Sequence, residues 1–245
     1  MAVLRPGDQF AQFRLERLLG SDGGTPIWLA IDRAPGALDR WVRVHLVRAA
    51  SAGHESNTAS GLSGLDPRLV LARRMASLDS PHLVGIHGIG HDDGLAWVAT
   101  QWSPGMTLDV LRQRLDAHGQ LLPASVVLEL GAQIARGLAT LHEARDAAGN
   151  QRALAHGELA ASEVWVAEGR GVQLLPLGLG RPGAELGRAR NHSPERWRRP
   201  GDVAPVGDLF ALGCLLFELT TGRPFRGGAA MAEVREQAGR AAGAE

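Results

Sequence analysis

Not one of the 245 residues is lysine, so the 26 basic side chains are all arginine. Arginine therefore supplies all of the permanent positive side-chain charge available for holding an anion. Several arginines gather at Arg188, Arg190, Arg196, Arg198 and Arg199. The cluster suits an acidic partner surface or a bound phosphopeptide, but reads first as a solvated charged face. His91, Asp92 and Asp93 are metal-type ligands in a row, yet Gly94 follows and apolar runs flank them. An Asp-Gly hairpin turn is the stronger reading. Cys214 is the one cysteine and can form no internal disulfide. Its apolar neighbours in ALGCLLFEL indicate a buried, unreactive thiol.

Apolar residues make up 44% of the chain, enough to build the core of one large domain or two small lobes. Acidic and basic side chains balance at 26 each, which removes any bulk electrostatic case for a nucleic-acid or anionic-membrane partner. The start, MAVLRPGDQFAQFRLERLLG, lacks the unbroken apolar run of a signal peptide, and no later stretch is long enough to cross a bilayer. A cytoplasmic protein without a membrane span is expected.

Strands come first and helices later. Residues 10–19 and 26–32 carry apolar side chains at strand spacing around a glycine-rich turn at 20–24, and a third strand follows at 41–47. A Ser/Gly/Ala/Asn-rich loop is expected over 49–64, then a helix from Asp66-Pro67 to about Leu78. LVGIHGIG and LAWVATQW complete a five-stranded sheet. Beyond Pro104-Gly105 helical spacing takes over at 106–118 and 123–144, the second with Val126, Val127, Leu130, Ile134, Leu138 and Leu141 on one face. Two short strands at 164–167 and 172–175 precede a helix over 206–221 that is too apolar for a surface, and residues 231–238 read as a last helix.

These elements carry motifs similar to those of the bacterial serine/threonine protein kinase family. RLLGSDGGTPIWLA resembles its glycine-rich loop, VRVHLV the strand ending in its phosphate-clamping lysine, and SPHLVGIHG the segment after its first helix. TQWSPGMTL resembles the hinge and LHEARDAAGNQRALAHGELAASEVWV the catalytic loop with its preceding helix. LLPLGLGR stands at the Asp-Phe-Gly motif, HSPERW at the Ala-Pro-Glu motif, and GDLFALGCLLFELTTGRPF at the central helix. The match covers residues 10–226. It implies an α+β, two-lobed fold: a small lobe over 1–101 with a five-stranded sheet and one helix, and a mainly helical lobe over 102–245, shortened after the central helix.

Position by position, the resemblance implies a degenerate member. Two of the three loop glycines become Asp22 and Thr25; the clamp lysine position is His45 and its helix glutamate is Leu71. Arg43 takes the small residue that roofs adenine, either filling that pocket or swinging into solvent. His156-Gly157-Glu158 stands for His-Arg-Asp, Ala160 for the loop lysine, Glu163 for the magnesium-binding asparagine and Pro176 for the magnesium-binding aspartate. Glu158 keeps a carboxylate and reads as a solvated loop acid in preference to a general base.

Scaffold positions match better: His156, Asp208, Gly178, Pro194, Glu195 and Gly213 are present, and Met75, Ile86, Leu177 and His156 resemble the residues that join the lobes. Glu195 lacks the distal arginine that usually answers it. No Ser, Thr or Tyr lies between Gly178 and Ser193, so phosphorylation cannot order that stretch. The expectation is a pseudokinase rather than an enzyme, with no cofactor or metal, binding protein partners such as an active kinase or a larger assembly. The alternatives are a kinase-fold enzyme of altered nucleotide-transfer chemistry and a nucleotide sensor without turnover.

Overall fold

The structure is a computed structural model that describes residues 4–22, 25–34, 39–48, 67–146, 148–176 and 184–241. The loop expected at 49–64 lies outside the described residues, as do Gly23, Gly24, Leu177 and Gly178. The chain divides into two compact units, Met1–Ser77 with Val84–Ser103, and Leu78–Leu83 with Pro104–Glu245.

The first unit is an antiparallel sheet of β1 (Gln9–Phe10), β2 (Phe13–Asp22), β3 (Thr25–Asp32), β4 (Arg40–Arg48), β5 (Ile86–Asp92) and β6 (Leu95–Gln101), ordered β1-β2-β3-β4-β6-β5. The expected first strand is split, so the sheet has six strands where five were expected. Because side chains alternate across a strand, Val42, Val44 and Leu46 of β4 join Phe13, Leu15, Trp28, Ala30, Trp97 and Ala99 on one apolar face. Phe13 meets the Trp97 indole edge-on, with ring centroids 4.9 Å apart. Helix α1 (Pro67–Met75) buries Leu69, Leu71, Ala72 and Met75.

The sequence around residue 93 does form a tight turn. Asp93 and Gly94 take positive φ of 44° and 72°, the left-handed pair that a two-residue hairpin requires. The Asp92 carboxylate accepts the Ala11 amide at 2.7 Å, so it pins the sheet edge.

The second unit contains β7 (Gly105–Thr107), α2 (Leu108–Asp116), α3 (Ala124–His142), a 3-10 turn (Ala161–Glu163), β8 (Val164–Ala167), β9 (Gly171–Leu174), α4 (Glu185–Arg190), α5 (Pro194–Arg198), α6 (Pro205–Thr221) and α7 (Met231–Ala241). Residues 105–107 form a strand, although 106 and 107 read as the start of a helix, because they find ladder partners in Trp165, Val166 and Ala167. Helix α3 buries Val127, Leu130, Ile134, Leu138 and Leu141, one face at helical spacing, while Val126 is exposed. Helix α6 packs on it through a buried face of Asp208, Ala211, Cys214, Leu215 and Leu219. The expectation that α6 is apolar all round because it is enclosed is corrected, since Val206, Leu209 and Phe217 are exposed. Burial holds Cys214 away from water and pushes its thiol up to about 11. Among the described residues no helix is long and apolar enough to cross a membrane.

The sheet core leaves room for one indole by omitting side chains beside it. A Cβ on Gly90 would lie 2.5 Å from Trp97 Cζ2, whereas one on Gly88 would lie 3.2 Å from Cζ3. Gly90→Ala is therefore expected to destabilise by about 1 to 3 kcal/mol, the usual cost of overpacking, and Gly88→Ala by less. Thermal melts of both variants check this; equal stability of Gly90→Ala and the parent would refute the packing account.

Candidate active site

Residues of the first unit come from the sheet. Gly20 pairs with Ile27 and Asp22 with Thr25 at the turn end of the β2–β3 hairpin. On β4, Arg43 pairs with Leu29 and Thr100, and His45 with Ile27 and Val98. Both side chains therefore point away from the Val42/Val44/Leu46 face. Neither reaches bulk water: Arg43 is 6% exposed and His45 1%. The Arg43 guanidinium lies over the Trp102 ring, 5.5 Å from its centroid, an arrangement worth about 2 kcal/mol when desolvated. Burial lowers the Arg43 pKa to about 10, so the group keeps its charge at neutral pH. His45 Nε2 lies 3.5 Å from the Thr100 hydroxyl, which also donates to the Arg43 carbonyl at 3.4 Å. Leu71 is a buried apolar residue of α1.

The second unit assembles the loop residues. Asp208, in the first turn of α6 and 1% exposed, accepts the His156 amide at 2.8 Å and the Gly157 amide at 2.7 Å. His142 Nε2 lies 2.9 Å from the same carboxylate and so is the protonated ring nitrogen. The His156 ring donates from Nε2 to the Leu175 carbonyl at 2.8 Å, which leaves Nδ1 to accept the Glu158 amide at 3.4 Å. Gly157 has φ of 79°, and a Cβ there would lie 2.6 Å from Val203 Cγ1. Position and conformation both demand glycine.

Glu158 is not a solvated acid, and that expectation is corrected. Its carboxylate is bonded by Arg196 Nη2 and by His192 Nε2 at 2.9 Å, with Arg188 Nε at 3.8 Å. Burial pushes the Glu158 carboxyl up, but the His192 hydrogen bond and the charges of His192, Arg196 and Arg188 outweigh it and hold the group below the usual carboxylate range. The arginine cluster is corrected with it. Arg188 is buried on three carboxylates, Arg196 donates to Glu158 and to the Gly157 carbonyl, and Arg190 donates to the Gly228 carbonyl. Arg198 and Arg199 are exposed.

Glu163 closes the 3-10 turn with its side chain fully buried, 3.1 Å from Arg188 Nη1. Ala160 is buried at the start of the same turn. Pro176 is buried just beyond β9 and offers no side-chain donor. Magnesium, which the resemblance implies, therefore does not fit the residues present: one candidate ligand is engaged by a guanidinium and the other has no donor atom. Among the described residues no group of three or more His, Cys, Asp or Glu is gathered for a metal. Glu195 stands apart, exposed, its carboxyl held low by its own amide, then by Ser193. Met75 and Ile86 belong to the first unit and His156 to the second.

Sequence reasoning missed Arg226. It is buried beneath Phe210 and Phe225 and donates to the carbonyls of Arg190 and His192 at 2.8 and 2.6 Å, fixing the segment that carries the Glu158 partners. The one available signal was pairing: two loop glutamates precede a run of arginines in a chain that has no other permanent cation.

A family model described as protein tyrosine and serine/threonine kinase matches residues 68–241. Over 90% of its length the chain is 26% identical to the serine/threonine-protein kinase PrkC of Bacillus subtilis, covering 32% of that protein. It is 29% identical to the serine/threonine-protein kinase PknD of Mycobacterium tuberculosis, covering 91% of this chain and 32% of the relative. A crystal structure of the Mycobacterium tuberculosis PknI kinase domain matches with a TM-score of 0.65 at 19% identity, over 96% of this chain and 86% of that one, a likeness of fold. The chain spans about a third to a half of the length of the curated relatives that match most of it. These findings correct the expectation that the chain is not an enzyme: relatives named as serine/threonine kinases align with nearly all of it and point to an enzyme.

Two variants test the loop. Glu158→Ala strands buried partners and is expected to cost about 1 to 3 kcal/mol, and Asp208→Ala at least as much. Because the folded-state Glu158 carboxyl is held low, its stabilisation is present above the unfolded pKa and is lost as pH falls through the folded one. The stability gap between the parent and Glu158→Gln should thus close below about pH 4. Denaturant titrations across pH measure it; a gap that stays constant into strong acid would show that the Glu158 charge contributes nothing.

Proposed function

Since the chain belongs to the protein tyrosine and serine/threonine kinase family, we propose that it is a kinase-fold enzyme of altered nucleotide-transfer chemistry, with Glu158 as the loop carboxylate that orients the attacking hydroxyl. One observation carries the reading. The Glu158 carboxylate is ionised and held by Arg196 and His192 on a loop whose backbone amides are fixed by Asp208. Transfer of a phosphoryl or nucleotidyl group asks a protein mainly for positioning and charge neutralisation. Here both come from this chain's own groups: an anchored anion for the acceptor, and arginine guanidiniums for a phosphate. The lowered pKa of Glu158 suits an orienting hydrogen-bond acceptor more than a strong base.

A second reading, a regulatory domain that docks a protein partner, is favoured by the exposed Val206, Leu209 and Phe217 along α6. Transfer assays separate the two. With ATP radiolabelled at the γ or the α phosphate, label is expected to enter the protein or an added protein acceptor from one of the two nucleotides, and to disappear in Glu158→Gln with the fold intact. Failure of both labels to transfer from the folded parent would overturn the enzymatic reading and leave the docking one.

A further inference from the structure

One guanidinium answers the carboxylates of the loop. Arg188, from α4, places Nη1 3.1 Å from Glu163, Nη2 3.6 Å from Glu185 and Nε 3.8 Å from Glu158. Its side chain is 11% exposed, against 0% for Glu163 and 15% for Glu158. We infer that Arg188 is a built-in cation holding the place that the fold's divalent metal would take at Glu163, so that ligand binding and transfer at this site require no magnesium. The inference deepens the reading above and rests on it for transfer, though not for the metal.

Neutralisation by arginine and by a divalent ion are mutually exclusive here. A divalent ion on Glu163 would either displace Arg188, stranding a buried guanidinium, or sit against that guanidinium in a poorly screened interior. Nothing offsets either cost. Magnesium demands several oxygen ligands in octahedral array, yet Pro176 and Ala160 carry no ligand atom and the Glu163 carbonyl is taken by the Leu175 amide at 2.9 Å. The Arg188 fork needs only the carboxylates already present. This also accounts for α4, whose Arg188 ties the helix back to the loop through Glu163 and Glu158, while Glu185 pairs with Arg188 within the helix.

Manganese, a magnesium surrogate readable by electron paramagnetic resonance, tests the inference directly on the whole chain. The parent and Glu163→Gln should bind it with the same weak affinity. Arg188→Ala removes the cation shared by the Glu163 and Glu158 carboxylates, which with water are enough for a divalent ion, and should gain a site at least about tenfold tighter, which the double variant Arg188→Ala/Glu163→Gln should lose. A parent site that disappears in Glu163→Gln, or a folded Arg188→Ala that gains nothing, would overturn the inference. If Arg188→Ala does not fold, the parent against Glu163→Gln still decides, because a manganese site on Glu163 in the parent is what the inference forbids. Label transfer that persists in excess chelator supports the metal-free mechanism, and transfer that requires magnesium refutes it. Absence of transfer under every condition removes the proposed function while leaving the manganese result to stand alone.

Discussion

The second unit depends on the Asp208 carboxylate. A buried carboxylate is costly unless hydrogen bonds replace its water, and Asp208 is satisfied by two consecutive amides and a ring nitrogen. The reverse dependence matters more. Those amides belong to His156 and Gly157, which have no helix or ladder partner of their own, so the loop takes its path from α6. With the loop so placed, the His156 ring reaches the Leu175 carbonyl and Glu158 turns toward His192 and Arg196. Helix α6 in turn packs on α3 and buries Cys214, Leu215 and Leu219. Ordinary core packing is thereby converted into the position of a carboxylate.

Arginine suits that carboxylate better than lysine would. A planar guanidinium spreads its donors over separate acceptors and is weakly hydrated, so it tolerates a buried, branched arrangement. Arg188 spans three carboxylates and Arg196 spans a carboxylate and a carbonyl. The same property operates in the first unit, where Arg43 is accommodated on the Trp102 face and stays charged despite its lowered pKa. A lysine-free chain has not lost its cations; it has distributed them where flat groups fit.

The fold was legible because it is written in periodicity. Alternation along β3, β4 and β6 and the i, i+3, i+4 face of α3 survive any single substitution, and the Asp93-Gly94 turn is dictated by backbone geometry. Errors fell where an element's state depends on a distant partner. Residues 106 and 107 read as helix because their ladder partners lie at 165 and 166, and α6 read as enclosed because its sequence does not say how many neighbours it has. The loop was legible only as chemistry present or absent. Glu158 and Glu163 could be named as carboxylates, but their environment is created by Arg188, His192 and Arg196, brought in by α4, α5 and the turn between them, and by Arg226 from beyond α6. Charge counting showed the arginines; only folding showed which of them leave solvent.

Family membership and residue chemistry bear on different levels of the same question. Kinases aligned along nearly the whole chain establish what kind of machine the fold belongs to, whereas the residues at the loop decide how its charges are balanced. A carboxylate designed around a divalent ion and a carboxylate answered by arginine solve the same electrostatic problem, a buried negative charge that must be neutralised. The two solutions differ in what they leave over. A metal presents open coordination positions to a phosphate, but a guanidinium hydrogen-bonded to Glu163 and ion-paired with Glu185 and Glu158 is already neutralised. Any phosphate held near this loop must therefore compete for a cation already in use, and the strength of the Arg188 and Arg196 contacts to their glutamates sets how readily it can do so. A phosphate that recruited either arginine would for that reason draw on the same interactions that stabilise the second unit, and would loosen the loop it bound.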